Sequence, residues 1–583
     1  MQIALRNVNQ VWAYILTQTL KRLGLTCAVI CPGSRSTALT VAFAQLVPDI
    51  EAISILDERS AAFFALGQGK ATGRPVVLVC TSGTAGANFY PAVIEAKESR
   101  VPLLILTADR PQELRECHSG QTIDQVRLYG NYPNWQAELA LPSLDMGILA
   151  YLRQTIIYSW ERCQAPTGGA VHLNIPFRDP LAPIPDVNEA SLQLLLSQFQ
   201  PEEFFAGVPI TDYRLPITDY RLPKEWKDCK RGLIIAGVAQ PQRPQEYCSA
   251  IAKLSQSLNW PVLAEGLSPV RNYAELNPYL ISTYDLILRN QQFAKQLTPE
   301  MVIQIGEMPT SKELRTWINA TQPRRWIIDN SDQNLDPLHG RTTHLRISVE
   351  NLETEKLEIT RNWEYLQKWC DAETKVRKNI DDTFENIDKL IECKAAWLIS
   401  QNLPPETPLF ISNSMPVRDV EFFWKPNNLK VKSYFNRGAN GIDGTLSTAL
   451  GIAHRQQSSV MLTGDLALLH DTNGFLIRNK FVGHLTIILI NNNGGGIFEM
   501  LPIANFEPPF EEFFATPQDI DFALLCATYN VQHELIISWE HLQERLNPLP
   551  KTGIRVLEIR TNRKLDAKWR KENLGNFSVD IVI

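Results

Sequence analysis

The chain has 583 residues, 44% of them hydrophobic, and its 57 basic and 63 acidic side chains give a formal net charge of −6. This length suits about three or four domains, and the balanced charge argues against nucleic acid or an anionic membrane as a partner. Ten scattered cysteines without a C-x-x-C pair, no signal-peptide pattern and no apolar stretch of membrane-spanning length predict a large cytoplasmic enzyme with small-molecule partners.

Residues 1–185 alternate helical and strand patterns, which predicts a parallel sheet with helices on both faces. A helix over 11–23 precedes strands over 27–31, 53–56, 76–80, 103–106 and 170–175. The first four strands end in PGSRST at 32–37, DER at 57–59, TSGTA at 81–85 and TADRP at 107–111. Because the carboxyl ends of parallel strands meet at one edge of a sheet, we expect these loops to carry the chemistry.

Residues 186–230 are rich in proline and contain PITDYRL twice in tandem, at 209–215 and 216–222. One duplication of seven residues is too short for a repeat fold. We therefore interpret this segment as an inserted linker without a catalytic role.

Residues 231–350 return to the α/β pattern, with strands predicted over 232–237, 262–265, 301–306 and 325–329. No G-x-G-x-x-G follows these strands, which argues against a dinucleotide site. A charged helical connector over 353–392 belongs to a third block, 351–583, with strands over 409–412, 431–435 and 555–559. The predicted fold class is α/β, with three doubly wound, mostly parallel-sheet domains.

The stretch 464–498 places polar groups after two further buried strands. The strand over 460–462 ends in Gly464-Asp465, and the strand over 485–490 ends in three asparagines and three glycines, with a helix predicted over 472–481 between them. Carboxylate and amide oxygens are ligands that suit Mg²⁺, which often shares its coordination shell with a phosphate. Taken alone, each half is more typical of an ordinary strand end or turn than of a metal site.

Together, the Gly-Asp and Asn-Asn pairs resemble the thiamine-diphosphate-binding motif of thiamine-dependent enzymes. With PGSRS, DER, TSGTA and TADRP, NSMPVRD at 413–419 and NRGANGIDG at 436–444, the chain resembles the 2-succinyl-5-enolpyruvyl-6-hydroxy-3-cyclohexene-1-carboxylate synthase family. The resemblance covers the first and third blocks and is thinner in the middle. It implies a thiamine-diphosphate-binding fold, Mg²⁺ with Mn²⁺ as an alternative, and a role in menaquinone or phylloquinone biosynthesis.

The resemblance further implies that 2-oxoglutarate is decarboxylated and that the remaining unit adds in 1,4 fashion to isochorismate. Glu58 would share a proton with N1′ of the cofactor, and Ile442 would press against its two rings. The other expected cofactor contacts are Gly464, Asp465, Leu466, Ala467, Asn492 and Gly494, of which Asp465, Asn492 and Gly494 would hold the metal. The expected substrate contacts are Ser34, Arg35, Arg110, Gln121, Lys312, Ser414, Arg418 and Arg437, with Ile497, Phe498 and Leu501 as an apolar wall.

Two departures from the family pattern restrict what is carried over. Relatives can have a second basic residue after the position of Lys312, where this chain has Glu313. Ala467 stands where some relatives have serine, which leaves its backbone N–H as the group that can contact a diphosphate. We expect His470 to have a helix-entry role rather than to act as a base.

Each candidate residue also has an ordinary structural interpretation. Glu58 can serve the helix dipole, Ile442 can be core packing, and a single arginine can form a salt bridge. Two other functions stay open: a 2-oxo acid decarboxylase or acetolactate-synthase-like ligase, and a non-catalytic subunit that keeps the fold. The set of arginines favours dicarboxylate substrates, and retention of the glutamate and metal motif favours catalysis. The family arrangement predicts a homodimer or dimer of dimers with active sites between subunits.

Overall fold

The computed structural model describes residues 5–185, 189–206, 208, 220–354, 363–579 and 581. Its strands are β1 (Cys27–Ile30), β2 (Glu51–Ser54), β3 (Val76–Cys80), β4 (Leu103–Asp109), β5 (Trp135–Glu138), β6 (Ala170–Pro176), β7 (Tyr220–Arg221), β8 (Gly232–Ala236), β9 (Val262–Ala264), β10 (Leu280–Ile281), β11 (Met301–Ile305), β12 (Arg324–Ile328), β13 (Thr342–Leu345), β14 (Leu352–Glu353), β15 (Pro408–Ile411), β16 (Lys432–Tyr434), β17 (Ser459–Gly464), β18 (His484–Asn491), β19 (Gln532–Leu535) and β20 (Gly553–Arg560).

The α-helices are α1 (Val8–Arg22), α2 (Thr37–Ala44), α3 (Glu58–Thr72), α4 (Thr84–Ala87), α5 (Tyr90–Glu98), α6 (Met146–Arg162), α7 (Glu189–Gln198), α8 (Pro201–Phe205), α9 (Lys224–Asp228), α10 (Pro244–Leu258), α11 (Tyr284–Arg289), α12 (Gln291–Gln296), α13 (Lys312–Thr321), α14 (Trp363–Glu385), α15 (Glu392–Asn402), α16 (Met415–Phe423), α17 (Thr445–Ala453), α18 (Asp465–Leu469), α19 (Phe522–Thr528), α20 (Trp539–Leu546) and α21 (Arg563–Asn573). The chain forms two compact units, one of residues 1–215, 436–454 and 470–482 and one of residues 216–435, 455–469 and 483–583.

The first unit is built on a six-stranded parallel sheet in the order β2-β1-β3-β4-β6-β5. Every residue of β1, β3, β4 and β6 is buried, as expected for parallel strands that are covered on both faces. Trp12, Val79, Leu104 and Leu173 belong to its core.

Two helices of the first unit cross at glycines. A Cβ atom at Gly67 of α3 would lie 2.2 Å from the carbonyl oxygen of Thr448, and one at Gly451 of α17 would lie 2.2 Å from that of Phe64. Gln68 also donates its Nε2 to the carbonyl oxygen of Gly451. The two backbones approach so closely because neither glycine has a side chain.

The second unit contains two six-stranded parallel sheets, ordered β10-β9-β8-β11-β12-β13 and β16-β15-β17-β18-β20-β19, and a small sheet of β7 and β14. One hydrophobic core includes residues of both large sheets and of α14, among them Leu233, Val302, Trp369, Val460 and Leu557. The three parallel α/β sheets that the sequence predicts are therefore confirmed.

Two local predictions differ from the structure. The helix expected over 472–481 is a 3₁₀ helix, Thr472–Asn479. Asn473 and Gly474 are weak helix formers, and the Asp471 carboxylate accepts hydrogen bonds from the backbone and hydroxyl of Ser447 instead of capping its own segment. Among the described residues of the helix expected over 353–392, the helical ones are those of α14 and the first residue of α15. The strands β5, β7, β10, β13, β14 and β19 were not predicted.

Several predictions concern residues outside the described ranges. Most of the PITDYRL duplication, 209–219, lies there, and so do residues 355–362 of the connector. The predicted boundaries near 185, 230 and 350 stay predictions. Within the described part of the chain, no helix has the length and apolar character needed to cross a membrane.

Candidate active site

Loops after neighbouring strands of the first sheet carry the predicted substrate residues. Ser34 and Arg35 follow β1, Thr81 follows β3 and Arg110 follows β4. The Arg35 backbone N–H donates to Thr81 Oγ1 at 3.2 Å. A Cβ atom at Gly33 would lie 2.2 Å from the Thr81 Cβ, so a glycine is needed where the two loops meet.

Arg35 and Arg110 bring two guanidinium groups to this edge. Arg110 Nη1 donates to the carbonyl oxygen of Gln121 at 2.7 Å, and the exposed Gln121 donates its Nε2 to the carbonyl oxygen of Ser82 at 3.0 Å. Burial, followed by the charge of Arg110, lowers the pKa of Arg35 below its ordinary value. Repulsion between two partly buried cations favours an anion beside them, and guanidinium groups bind carboxylates in a bidentate manner.

Glu58 is the first residue of α3 and follows β2, which lies beside β1 in the sheet. The Asp57 carboxylate caps this helix by accepting from the backbone N–H groups of Arg59 at 2.9 Å and Ser60 at 3.3 Å. Glu58 is half-buried, and its charge adds to the effect of burial in raising the pKa of the Cys80 thiol. The structure therefore places a carboxylate at the edge that holds Arg35 and Arg110.

Arg437 and Ile442 lie in the segment 436–454, which belongs to the first unit although the sequence places it in the third block. Glu95 of α5 anchors the segment by accepting from the backbone N–H groups of Gly438 at 3.1 Å and Ala439 at 2.7 Å. Arg437 and Ile442 are both half-buried. The structure thus groups these two candidates with Glu58.

Asp465, Asn492 and Gly494 come together at the ends of β17 and β18, which are neighbours in their sheet. Asp465 accepts from the backbone N–H of Leu466 at 2.7 Å and from that of Gly494 at 2.8 Å. Burial raises the pKa of Asp465 to about 6, and a cation beside it would stabilise the charged form. The buried Asn492 Oδ1 accepts no hydrogen bond from the residues that the structure describes.

This arrangement fits a hard divalent cation such as Mg²⁺ or Mn²⁺, because it offers a buried carboxylate and an unpartnered amide oxygen. Gly494 has a φ of 140°, and a Cβ there would lie 2.4 Å from the Ala515 carbonyl oxygen, so this loop needs glycine. Gly464 is the last residue of β17 and directly precedes Asp465, and Leu466 and Ala467 follow Asp465 in α18. Among the described residues, no group of three or more His, Cys, Asp or Glu side chains suits a metal.

Ser414 and Arg418 lie at the same edge of the third sheet, because β15 is next to β17. Ser414 has a φ of 73°, a strained conformation for a residue with a side chain. Arg418 Nη1 donates to the carbonyl oxygen of Ser414 at 2.7 Å. Lys312, in contrast, is exposed at the start of α13, after a strand of the middle sheet, and its role stays a prediction.

The predicted apolar wall lies directly after the loop that holds Asn492 and Gly494. Ile497 and Phe498 are half-buried in the 3₁₀ helix Gly496–Met500. Phe498 packs edge-to-face on Phe514 with ring centroids 5.9 Å apart. Leu501 is 47% exposed, so apolar surface remains available beside the polar site.

Two residues that contact the candidates were not predicted. Asn492 donates its Nδ2 to Glu392 Oε1 at 2.5 Å, and Arg110 donates to Ser82 Oγ. Ser82 belongs to the TSGTA loop and was within reach of the sequence argument. Glu392 was not, because a first-turn glutamate ordinarily serves the helix dipole.

Comparisons with known proteins give matches over most of the chain. The family described as "Thiamine pyrophosphate enzyme, N-terminal TPP binding domain" matches residues 12–128, and "Middle domain of thiamine pyrophosphate" matches residues 209–411. The chain is 76% identical over 585 aligned residues to the 2-succinyl-5-enolpyruvyl-6-hydroxy-3-cyclohexene-1-carboxylate synthases of Trichormus variabilis and Nostoc sp., with 100% of each chain covered. It is 66% identical to the synthase of Gloeothece citriformis, with 99% of this chain and 100% of that one covered.

Solved structures with the same fold include benzoylformate decarboxylase from Polynucleobacter necessarius, with a TM-score of 0.66, 16% identity, and 96% of this chain and 99% of that one covered. A putative thiamin diphosphate-dependent enzyme isolated from Mycobacterium smegmatis gives a TM-score of 0.63 at 14% identity, with 94% and 99% covered. At such low identity these similarities support the fold alone.

Proposed function

Because this chain belongs to the 2-succinyl-5-enolpyruvyl-6-hydroxy-3-cyclohexene-1-carboxylate synthase family of thiamine-diphosphate-dependent enzymes, we propose which of its residues bind cofactor, metal and substrates. The chain is a transferase of the menaquinone or phylloquinone pathway. It decarboxylates 2-oxoglutarate and adds the remaining succinyl unit to isochorismate by 1,4-addition. The observation that carries this conclusion is 76% identity over the full length of two synthases.

Thiamine diphosphate, when bound, supplies the thiazolium carbon that lets the carbonyl carbon of 2-oxoglutarate act as a nucleophile after loss of CO₂. Glu58 holds a proton at N1′ of the aminopyrimidine ring, which requires a fixed carboxylate. Ile442 would contact the rings of the cofactor. In support, Glu58 is held by a capped helix start, and the loop before Ile442 is anchored on Glu95.

Asp465, Asn492 and the Gly494 carbonyl hold Mg²⁺ or Mn²⁺, which neutralises the diphosphate. One support is Asn492 Oδ1, which is buried and accepts no hydrogen bond from any described residue. The other is the buried Asp465 carboxylate, whose pKa burial raises to about 6. Gly464, Leu466 and Ala467 approach the diphosphate through their backbone.

Both substrates are dicarboxylates, and the arginine set matches that charge. Arg35 and Arg110 bind carboxylate from the first unit together with Ser34 and Gln121. The remaining cationic and hydroxyl groups that we assign to the substrates are Arg437, Lys312, Ser414 and Arg418. Ile497, Phe498 and Leu501 exclude water on one side. In support, the charge of Arg110 adds to the effect of burial in lowering the pKa of the partly buried Arg35.

We propose a homodimer, or a dimer of dimers, in which Glu58 of one subunit and Asp465 of the other complete one site. In support, the two residues lie in different units, and the stretch after the metal loop exposes Leu501, Phe506, Phe513 and Leu524 by 47–68%. Large exposed apolar side chains become buried when they lie at an interface, and a contiguous patch of them commonly marks one. A cytoplasmic location fits the ten cysteines, none of which forms a disulfide in the described part of the chain.

An activity assay tests the reaction. The purified protein with thiamine diphosphate and Mg²⁺ is given 2-oxoglutarate, isochorismate, both, or pyruvate, and CO₂ and the coupled product are measured. We expect product and CO₂ in equal amounts with both substrates. Consumption of pyruvate but not 2-oxoglutarate, or CO₂ without coupled product, would refute the assignment. Arg110→Gln should raise KM for substrate, whereas the exposed Arg74→Gln should not.

A mixing experiment tests the shared site. Glu58→Gln and Asp465→Ala subunits are co-expressed with different tags, and the hybrid dimers are assayed. Random assembly should recover about a quarter of wild-type activity, because half of the dimers are hybrids with one intact site each. No recovery in purified hybrids would show that each site comes from a single chain.

A further inference from the structure

Glu392 is a buried carboxylate that contacts the Asn492 side chain. It is 2% exposed at the start of α15, and its Oε1 accepts from Asn492 Nδ2 at 2.5 Å. A Cβ atom at Gly496 would lie 2.7 Å from that same Nδ2, so a glycine also leaves space for the carboxamide. The NH₂ side of the Asn492 amide is therefore in contact with protein.

This contact determines which way the amide faces. Glu392 Oε1 accepts from Asn492 Nδ2 and Glu392 Oε2 accepts from Arg570, so the NH₂ group of Asn492 faces Glu392. The opposite atom is then Oδ1, which is buried and has no donor among the described residues. The Glu392 contact leaves that oxygen available as a metal ligand.

Arg570 holds Glu392 in place. Arg570 Nη2 donates to Glu392 Oε2 at 2.8 Å and to Asp419 Oδ2 at 2.8 Å. All three side chains are buried. The Glu392 backbone N–H also donates to Asp566 Oδ1 at 3.2 Å. A carboxylate that is fixed on both oxygens cannot rotate to release the amide.

We propose that Glu392 is a positioning residue for the metal: it orients the Asn492 carboxamide so that Oδ1, and not Nδ2, faces the ion. This inference rests on the proposed metal site at Asp465, Asn492 and Gly494. Residues that orient a metal ligand in this way commonly change metal affinity about 10–100-fold when they are replaced.

Glu392→Gln should invert the amide. Arg570 requires an acceptor, so the glutamine turns its carbonyl oxygen toward Arg570 and its NH₂ group toward Asn492. Asn492 must then turn its own oxygen toward that NH₂ group and present its NH₂ to the metal. We expect the Kd of Mn²⁺ in the presence of saturating thiamine diphosphate to rise about 10–100-fold, measured from free Mn²⁺ by electron paramagnetic resonance.

A second substitution should rescue this defect. In Glu392→Gln/Asn492→Asp, one carboxylate oxygen at 492 accepts from the glutamine NH₂ and the other faces the metal. The double variant should therefore bind Mn²⁺ within about threefold of wild type, by restoring the oxygen ligand that the single variant loses. Asn492→Asp alone sets two carboxylates against each other and should bind more weakly than the double variant. A merely structural role of Glu392 predicts no such rescue.

Controls separate this proposal from the metal site itself. Asp419→Asn removes a second carboxylate from Arg570 without touching Asn492 and should leave the Kd of Mn²⁺ unchanged. Asp465→Ala should abolish Mn²⁺ binding, and unchanged Mn²⁺ binding in this variant refutes the metal site. If Asp465→Ala loses Mn²⁺ binding but Glu392→Gln binds Mn²⁺ with wild-type affinity, only the positioning role is refuted. The positioning role is also refuted if Asp419→Asn weakens Mn²⁺ binding as much as Glu392→Gln does. It is refuted as well if the double variant binds Mn²⁺ no more tightly than either single variant. Should Glu392→Gln not fold, the comparison of the double variant with Asn492→Asp decides.

Discussion

Gly451→Ala tests the close crossing of α3 and α17 in the first unit. The new Cβ would lie 2.2 Å from the carbonyl oxygen of Phe64. A backbone carbonyl cannot rotate away as a flexible side chain can, so the two helices must separate by roughly 1 Å to restore an ordinary contact. Gly67→Ala makes the reciprocal change from the other helix, against Thr448.

The expected loss of stability has two parts. Overpacking a core costs about 1–3 kcal/mol. The separation also strains the buried hydrogen bond from Gln68 to the Gly451 carbonyl, and losing such a bond costs about 1 kcal/mol. We expect a total of about 2–4 kcal/mol, which corresponds to a fall in Tm of roughly 5–10 °C for a unit of this size.

Turnover should fall as well. Glu58 begins α3, and Ile442 lies just before α17, so separating the helices displaces two proposed cofactor contacts. A misplacement of about 1 Å can reduce turnover about 100-fold. Differential scanning calorimetry and steady-state assays of both alanine variants measure the two effects.

Gly575→Ala is the matched control. No atom lies within 4 Å of a Cβ built at Gly575, whose φ of −75° suits alanine, so it should be neutral or slightly stabilising. If Gly451→Ala matches the control in both Tm and turnover, the close crossing is wrong, and so is its role in placing Glu58.

Three further substitutions test single groups. Glu58→Gln should retain thiamine diphosphate binding by calorimetry but lose at least about 100-fold in turnover; unchanged turnover would contradict the proton-holding role. Asp465→Ala should abolish Mg²⁺-dependent cofactor binding, and intact binding would remove the metal site. Burial raises the pKa of Asp471 from 3.8 to about 6. The protonated carboxyl therefore contributes to the free energy of unfolding below about pH 4, and this contribution is lost as the pH rises through 6. Between pH 4 and pH 7, the free energy of unfolding of Asp471→Asn should fall by up to about 3 kcal/mol less than that of the wild type, as measured by denaturant titration. The same pH profile in both proteins would exclude Asp471 as the cause of the fall.

The sequence alone determined the three parallel sheets and most of the loops that carry the candidate site. Apolar runs such as 76–80 and 485–490 become buried strands, and parallel strands deliver their following loops to one edge. We could therefore expect Arg35 to lie near Arg110, and Asp465 near Gly494, although many residues separate the members of each pair. The 3₁₀ helix at Thr472–Asn479 escaped prediction because Asp471 bonds to a different helix.

Only the tertiary structure decided which side chains meet across helices. Glu392 at the start of α15 touches Asn492, the residue after β18, and Gly67 meets Thr448 because two helices cross there. The same packing groups Ile442 with Glu58 in one unit. Such partners depend on the rotation and translation of whole helices, which many core contacts determine together. A first-turn glutamate or a mid-helix glycine looks ordinary in sequence, because its role is set by the residue that the fold places opposite it.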